Sequence, residues 1–479
     1  MLKHQFKYEW LQLLRERWVV ALLIIFIGVT TYAVYNGKQK MDSRTRAIAK
    51  AKADMQTLDK EYARQIDSIS RGLLPAPDRW LDPRSLSVYG QRAPRVVSMD
   101  AQPLAFISVG QSDLFAHYVK PKLYGEAYAL GFSELTNPVQ LLFGSFDFAF
   151  VFVYLLPLLI IAFSYNLLSQ DKESGSLRLT LAQPISLYGW LFSRTVLRFF
   201  VIAAILVTST TLALVLNGVA SVVGSVGFRK VLIVIITYAF FWFLLALLVN
   251  LFGKSSGQNA VALVSLWVVL VLLLPSVISQ TANTIYPVPS RINMIHEYRV
   301  AEAQADKDAD KILKSYYRDH PELAPTDSTE KNQYSFWLEY FASVDMMKQS
   351  VSHVLDSYNR AIENQQAWVD KLRVLSPAIL LQDALNDQAG TAPAHYRNFR
   401  EQVIRFAEDW KGYFLPRMFR NENMRPEDLS DLPAFAYNAK QVEPVWLFDW
   451  TLMLGWCGGM TAFGMLLFRV VRLERIVSI

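Results

Sequence analysis

The 479-residue chain has one cysteine, Cys457, so no disulfide can form within it whatever its compartment. Cys457 lies in an apolar run and reads as a buried small side chain. Histidine is scarce as well: His4, His117, His296, His320, His353 and His395 never pair at metal-ligand spacing. The one His–Glu pair, in "IHEYR" at 295–299, has no HExxH continuation, which argues against a zinc hydrolase. Charged residues make up 19% of the chain and form no dominant block, so the net charge of +6 does not mark a nucleic-acid binder. Basic residues flanking membrane spans and facing anionic lipid account for it. "LFGKSSG" at 251–257 is not a phosphate loop: the required glycine five residues before Gly253 is replaced by Leu248, and the segment joins two apolar runs. Ser174, Ser176 and Ser186 have no local base, and no catalytic set converges. The chain itself therefore reads as a non-enzyme.

Apolar residues, by contrast, are abundant at 52%, and they are clustered. Mean hydropathy is only +0.20, so long apolar runs must alternate with large polar regions. "WVVALLIIFIGVTTYAVY" at 18–35 follows a basic start with Lys3, Lys7, Arg15 and Arg17. It lacks a small-x-small cleavage site and is expected to stay as a first span, 18–36, preceded by an amphipathic interfacial helix at 1–17. Further spans are expected at 146–168, 191–217, 231–252, 260–279 and 445–468, each near the 20 or so residues that cross a bilayer. Pro157 falls inside the second, which is tolerable if a neighbouring helix satisfies the carbonyl it frees.

The polar regions have their own pattern. In the region 37–145, Ile48, Met55, Tyr62 and Ile69 recur every seven residues, with Ala51 and Leu58 between them, a helix stripe that seeks a packing partner. Three prolines in "LLPAPDRWLDPRS" at 73–85 stop that helix. The region 280–444 reads as a helical domain, with helix predicted over most of 330–375. The expected fold is thus an all-α polytopic membrane protein with six spans and large, mainly helical extracytoplasmic insertions. Lys3, Lys7, Arg15 and Arg17, then Lys172, Arg178 and Arg194, then Arg469, Arg472 and Arg475 put both termini and the 169–190 loop in the cytoplasm, with 469–479 as a tail. Lys38, Lys40, Arg44, Arg46 and Lys50 after the first span, and Arg229 and Lys230 before the fourth, run against that bias.

The most informative stretch is "SYNLLSQDKESGSLRLTLAQPIS" at 164–186. Its charges are grouped early, Gly175 permits a bend, and Leu177, Leu179 and Leu181 sit beside Arg178 before Pro184. Tied to spans at both ends, such a segment either lies on the membrane or offers a partner something to grip.

The residues Glu173, Gly175, Leu177 and Arg178, followed by Gln183, Pro184, Ile185 and Ser186, form an E-x-G-x-L-R … Q-P-[IV]-S pattern between the second and third spans. With the amphipathic start and "LSPAILLQDALNDQAGT" at 375–391, this pattern resembles the permease subunits of ABC-2 type transporters in the branch that carries a DUF3526-type domain. The resemblance implies a bacterial inner-membrane export permease that hydrolyses nothing itself and binds no cofactor. ATP and Mg would sit in a separate ABC ATPase subunit. A second permease copy, identical or related, would complete a homodimer or heterodimer within membrane lipid. Asp171, Glu173, Gly175, Leu177, Arg178, Gln183, Pro184 and Ser186 would form the coupling helix that seats in the ATPase. The alternatives are ATPase-driven mechanotransmission to periplasmic proteins and a scaffold without transport. The substrate is not legible.

Overall fold

The computed structural model describes residues 17–110, 116–124, 146–177, 182, 187–252, 255–289, 334–439, 442 and 444–470, with isolated positions between 296 and 318. The expected amphipathic helix lies outside these residues except for Arg17, and the C-terminal tail except for Arg469 and Val470. The described chain is largely helical. Its one sheet among the described residues is the two-stranded antiparallel ribbon of β1 (Val97–Ser98) and β2 (Tyr118–Val119).

Helix α1 runs unbroken over Arg17–Ser70, so the first apolar run and the heptad-spaced stripe are one 54-residue rod, about 80 Å long at 1.5 Å per residue. Helix α2 is Leu86–Arg92. Helix α3 comprises Phe148–Phe150 and Leu156–Ser164, joined by the π turn Val151–Leu155. The short α4 is Ser169–Glu173, α5 is Leu187–Leu216, and α6 is Val226–Phe252. Helix α7 comprises Ser256–Trp267 and Leu274–Ile285, joined by a second π turn, Val268–Leu273. Then come α8 (Ser335–Leu372), α9 (Pro377–Ala389), α10 (Pro393–Phe419) and α11 (Trp446–Val470).

Five helices among the described residues are long and apolar enough to cross a membrane, over Val20–Ser70, Phe148–Glu173, Ser193–Leu216, Val226–Phe252 and Ser256–Ile285. Helix α11, where a sixth span is expected, is long enough but is not in that set. Its first turn carries Asp449, and Gly455, Gly458 and Gly459 dilute its middle. It nonetheless packs along α6 and α9 as part of the same bundle.

Two π turns mark where the bundle departs from regular helix, and each lies just before a proline. Pro157 removes the donor that would serve the carbonyl of Val153. The Tyr238 hydroxyl of α6 donates to that carbonyl at 2.9 Å, while Trp267 Nε1 donates to Tyr154 O at 3.2 Å. Ahead of Pro275, Ser376 Oγ donates to Leu270 O at 2.8 Å. The Ser376 side chain also accepts from Ile379 N, capping α9. Each break is thus covered by a side chain from another element, as a backbone group out of reach of water requires.

The bundle core is built from the first half of α1 and from α3, α5, α6, α7, α9 and α11, around residues such as Phe26, Phe148, Phe152, Tyr238 and Trp242. A second core joins the far end of α1 (Ile66) and α2 (Leu86, Tyr89) to α10 (Phe399, Trp410, Phe414). The described parts of regions 37–145 and 280–444 therefore share one helical core. Trp410 Nε1 donates to Gly90 O at 3.1 Å, and Tyr334 Oη accepts from Leu86 N at 3.2 Å while donating to Glu422 O at 2.9 Å. The α1 stripe faces this domain: Ile48, Ala51 and Ile69 are buried, and the Met55 sulfur accepts from Val96 N. Bundle and domain meet at Gly37, where a Cβ would stand 2.0 Å from Phe106 O, so only glycine fits.

Replacing Tyr238 by Phe is expected to cost about 1–2 kcal/mol, because it strands the Val153 carbonyl. In a Pro157→Ala background that cost should shrink, since the helix can then serve its own carbonyl. Thermal unfolding of the four proteins in detergent measures the coupling; equal costs in both backgrounds would contradict the assignment.

Candidate functional site: the elbow and foot between α3 and α5

Helix α3 ends at Ser164, and the chain turns through 165–168 before α4. The carbonyls at this elbow have lost their helical donors, and neighbouring helices supply replacements. Arg198 of α5 donates to Phe163 O. Asn250 of α6 donates to Ser164 O at 2.9 Å, Asn259 of α7 to Tyr165 O at 3.1 Å, and Arg194 of α5 to Leu167 O at 2.9 Å. The Asn250 side-chain oxygen also accepts from Leu168 N at 3.2 Å and from Asn259 Nδ2 at 3.1 Å. Asn250 is fully buried and Asn259, Arg194 and Arg198 nearly so. Three helices therefore hold one turn of backbone through buried, mutually bonded side chains.

The foot hangs from this elbow. Asp171 accepts from Arg194, whose guanidinium also lies 5.1 Å from the Trp190 ring centroid. Ser176 Oγ donates to Asp171 at 2.8 Å. Glu173 reaches the start of α7: its carboxylate accepts from Ser256 N at 2.6 Å and from Ser256 Oγ at 3.0 Å. A carboxylate at a helix N-terminus meets unpaired N–H groups and the positive end of the dipole. Gly175 has φ +73°, and no atom lies within 4 Å of where a Cβ would be, so backbone conformation rather than space selects glycine here. Leu177 is buried with Leu167, Leu168 and Leu191 in a small cluster of its own, flanked by Trp190, Leu247 and Leu251.

Asp171, Glu173, Gly175 and Leu177 are thus gathered into one compact unit against α5, α6 and α7. Arg178, Gln183, Pro184 and Ser186 lie outside the described residues. Sequence reasoning missed Asn250, Asn259 and the inward role of Arg194 and Arg198. The available signal was Asn250 itself, an amide inside an otherwise apolar run, where an unsatisfied polar group is costly. Asn259 and Ser256 come from the 253–259 break, which reads from sequence as a plain tight turn.

The arrangement fastens a short polar helix to the ends of three long apolar ones, so displacement of the foot bears on α5, α6 and the start of α7.

Residues 291–438 match the family model described as a domain of unknown function, DUF3526. That stretch takes in α8, α9 and α10, and none of the elbow or foot. No curated protein matches the chain, and no solved structure does.

Replacing Asn250 by Ala is expected to destabilise the protein by about 2–4 kcal/mol, since it leaves several buried backbone groups unpaired. Glu173→Ala, at an exposed contact, should cost under about 1 kcal/mol. Thermal unfolding in detergent separates them; similar losses would contradict the elbow as the stronger anchor.

Proposed function

We propose that this chain is the permease subunit of an ABC-2 type transporter, and that the foot at 169–190 receives motion from a separate ATPase. The observation that carries the reading is the construction of the foot. Its root is bonded to three helices by buried side chains, its carboxylates Asp171 and Glu173 are pinned to α5 and to the start of α7, and the bend at Gly175 lies beyond them. A loop that merely connects two helices needs no such root. Coupling also requires that the ATPase states contact the foot differently, which a rigid lever converts into helix displacement.

The rest of the reading follows from the same topology. With α11 as a sixth span, both termini and the foot share the cytoplasmic face of a bacterial inner membrane. Two of the basic residues that run against this orientation have structural work at the other end: Lys38 donates to Asn217 O at 2.7 Å, and Lys230 lies 4.6 Å from the Trp446 ring centroid. ATP and Mg belong to the partner ATPase, and a second permease chain, identical or related, completes the transporter. The DUF3526 match over 291–438 agrees with the branch suggested by the sequence motifs.

A second reading, ATP-driven action on periplasmic proteins without transport, is favoured by α1. Because one helix spans both the bundle and the domain core, tilting its apolar half displaces the domain directly.

Purification in a mild membrane mimic is expected to bring down an ABC ATPase with the chain. The double variant Glu173→Ala, Arg178→Ala should weaken that association at least about tenfold, or about 1.4 kcal/mol, with little change in thermal stability. Unchanged association and ATP turnover would exclude the coupling role.

A further inference from the structure

At the opposite end of the bundle, one guanidinium ties three elements together. Arg373, in the 3-10 turn that follows α8, lies 3.3 Å from a carboxylate oxygen of Asp449 on α11 and 3.9 Å from one of Asp383 on α9. Asp370, on the last turn of α8, is also 3.9 Å away. The corner is held inside the bundle by Ser376, bonded to Leu270 O, and by Trp456 Nε1, which donates to Val374 O at 2.7 Å. Phe448 covers the guanidinium, its ring centroid 5.3 Å away.

The charges do not balance. Asp449 is fully buried, and neither of its oxygens accepts a hydrogen bond from a described residue; the buried Arg373 Nε likewise has no acceptor. Asp387, one turn beyond Asp383, accepts from Trp446 N at 3.3 Å and adds a fourth carboxylate. His395 of α10 faces Asp387, and burial, outweighing that carboxylate, lowers its pKa. Lys230 of α6 is turned to the Trp446 ring. One arginine therefore serves several carboxylates in a poorly solvated corner, and full ionisation leaves uncompensated negative charge there.

We propose that this cluster is a proton-dependent latch: α9 and the 373–375 turn stay docked on α11 while Asp383 carries a proton, and loosen when it ionises. Asp383 suits the role because the one guanidinium it faces, 3.9 Å away, is shared with Asp449, which lies nearer at 3.3 Å. Burial, outweighing Arg373, raises its pKa from the ordinary 3.8 to about 7. A carboxyl that holds its proton to higher pH when docked than when exposed favours docking in acid. The docked state has its full advantage below about pH 4 and loses it as pH rises to about 7. The latch does not depend on the ATPase reading, because it concerns contacts within this chain.

In a Cys457→Ala background, Val374→Cys places the lone thiol in the 373–375 turn, against Thr451, Gly455 and Trp456 of α11, where it reports the docking. Its labelling by N-ethylmaleimide in the purified full-length protein is compared with that of the SDS-denatured chain at each pH, which removes the intrinsic pH dependence of the thiol. Protection is expected to fall at least about tenfold between pH 5 and pH 8. Asp383→Asn should be protected, and flat, across that range. A profile constant within about twofold in the Val374→Cys parent overturns the proposal, as does an Asp383→Asn profile that keeps the parent's slope. Asp383→Glu, which still titrates, must retain the slope if the asparagine variant fails to fold; a flat Asp383→Glu profile also overturns it.

Discussion

Backbone carbonyls that have lost their helical donor, in a bundle with little access to water, constrain this molecule more than any other feature. Each break in the long helices creates such groups. Left unpaired, a buried amide or carbonyl costs about 1–3 kcal/mol. Pro157 opens α3, and Tyr238 answers it. Near Pro275, Ser376 answers at Leu270. The elbow after Ser164 needs four donors and receives them from Arg198, Asn250, Asn259 and Arg194. In every case the answering side chain belongs to a different element. Satisfying the backbone therefore also decides which helices move together.

Two mechanically distinct ends result. At the foot end, hydrogen bonds join the elbow and α4 to α5, α6 and α7, and Leu177 is buried in a small apolar cluster beside them. At the domain end, α9 packs into the bundle against α6 and α11, with Arg373 and its carboxylates at the corner. Helix α1 bypasses both joints and enters the domain core at Ile66. A push on the foot thus reaches the helical domain by two routes, through the bundle to α9 and along α1. The first route turns on the Arg373 cluster, and the second combines apolar packing with ion pairs such as Asp59–Arg95 and Lys52–Asp100.

Much of this was legible in the residues, for reasons that are physical. Apolar runs near 20 residues long, basic residues beside them and the grouped charges of 164–186 are local patterns, and local patterns survive in a sequence. The stripe at Ile48, Met55, Tyr62 and Ile69 announced a packed helix, though not that α1 continues unbroken from the first apolar run. What escaped was pairing at long range. Asn250 and Leu168 are 82 positions apart, and nothing local says that one amide will serve the other's backbone. The shared core of α2 and α10 depends on contacts such as that of Gly90 with Trp410, 320 positions away. Helix α9 was the subtlest case. At 13 residues it is too short to span a membrane, and it lies in a region that reads as polar, yet Leu380, Leu381 and Leu385 are fully buried.

The account stands on the foot being inside the cell, where nucleotide-driven motion is available to it. In a Cys457→Ala background, Ser174→Cys places a lone thiol at the exposed tip of that foot. A membrane-impermeant maleimide should leave it unlabelled in intact spheroplasts and label it once the membrane is permeabilised. Labelling from outside in sealed spheroplasts would contradict the account.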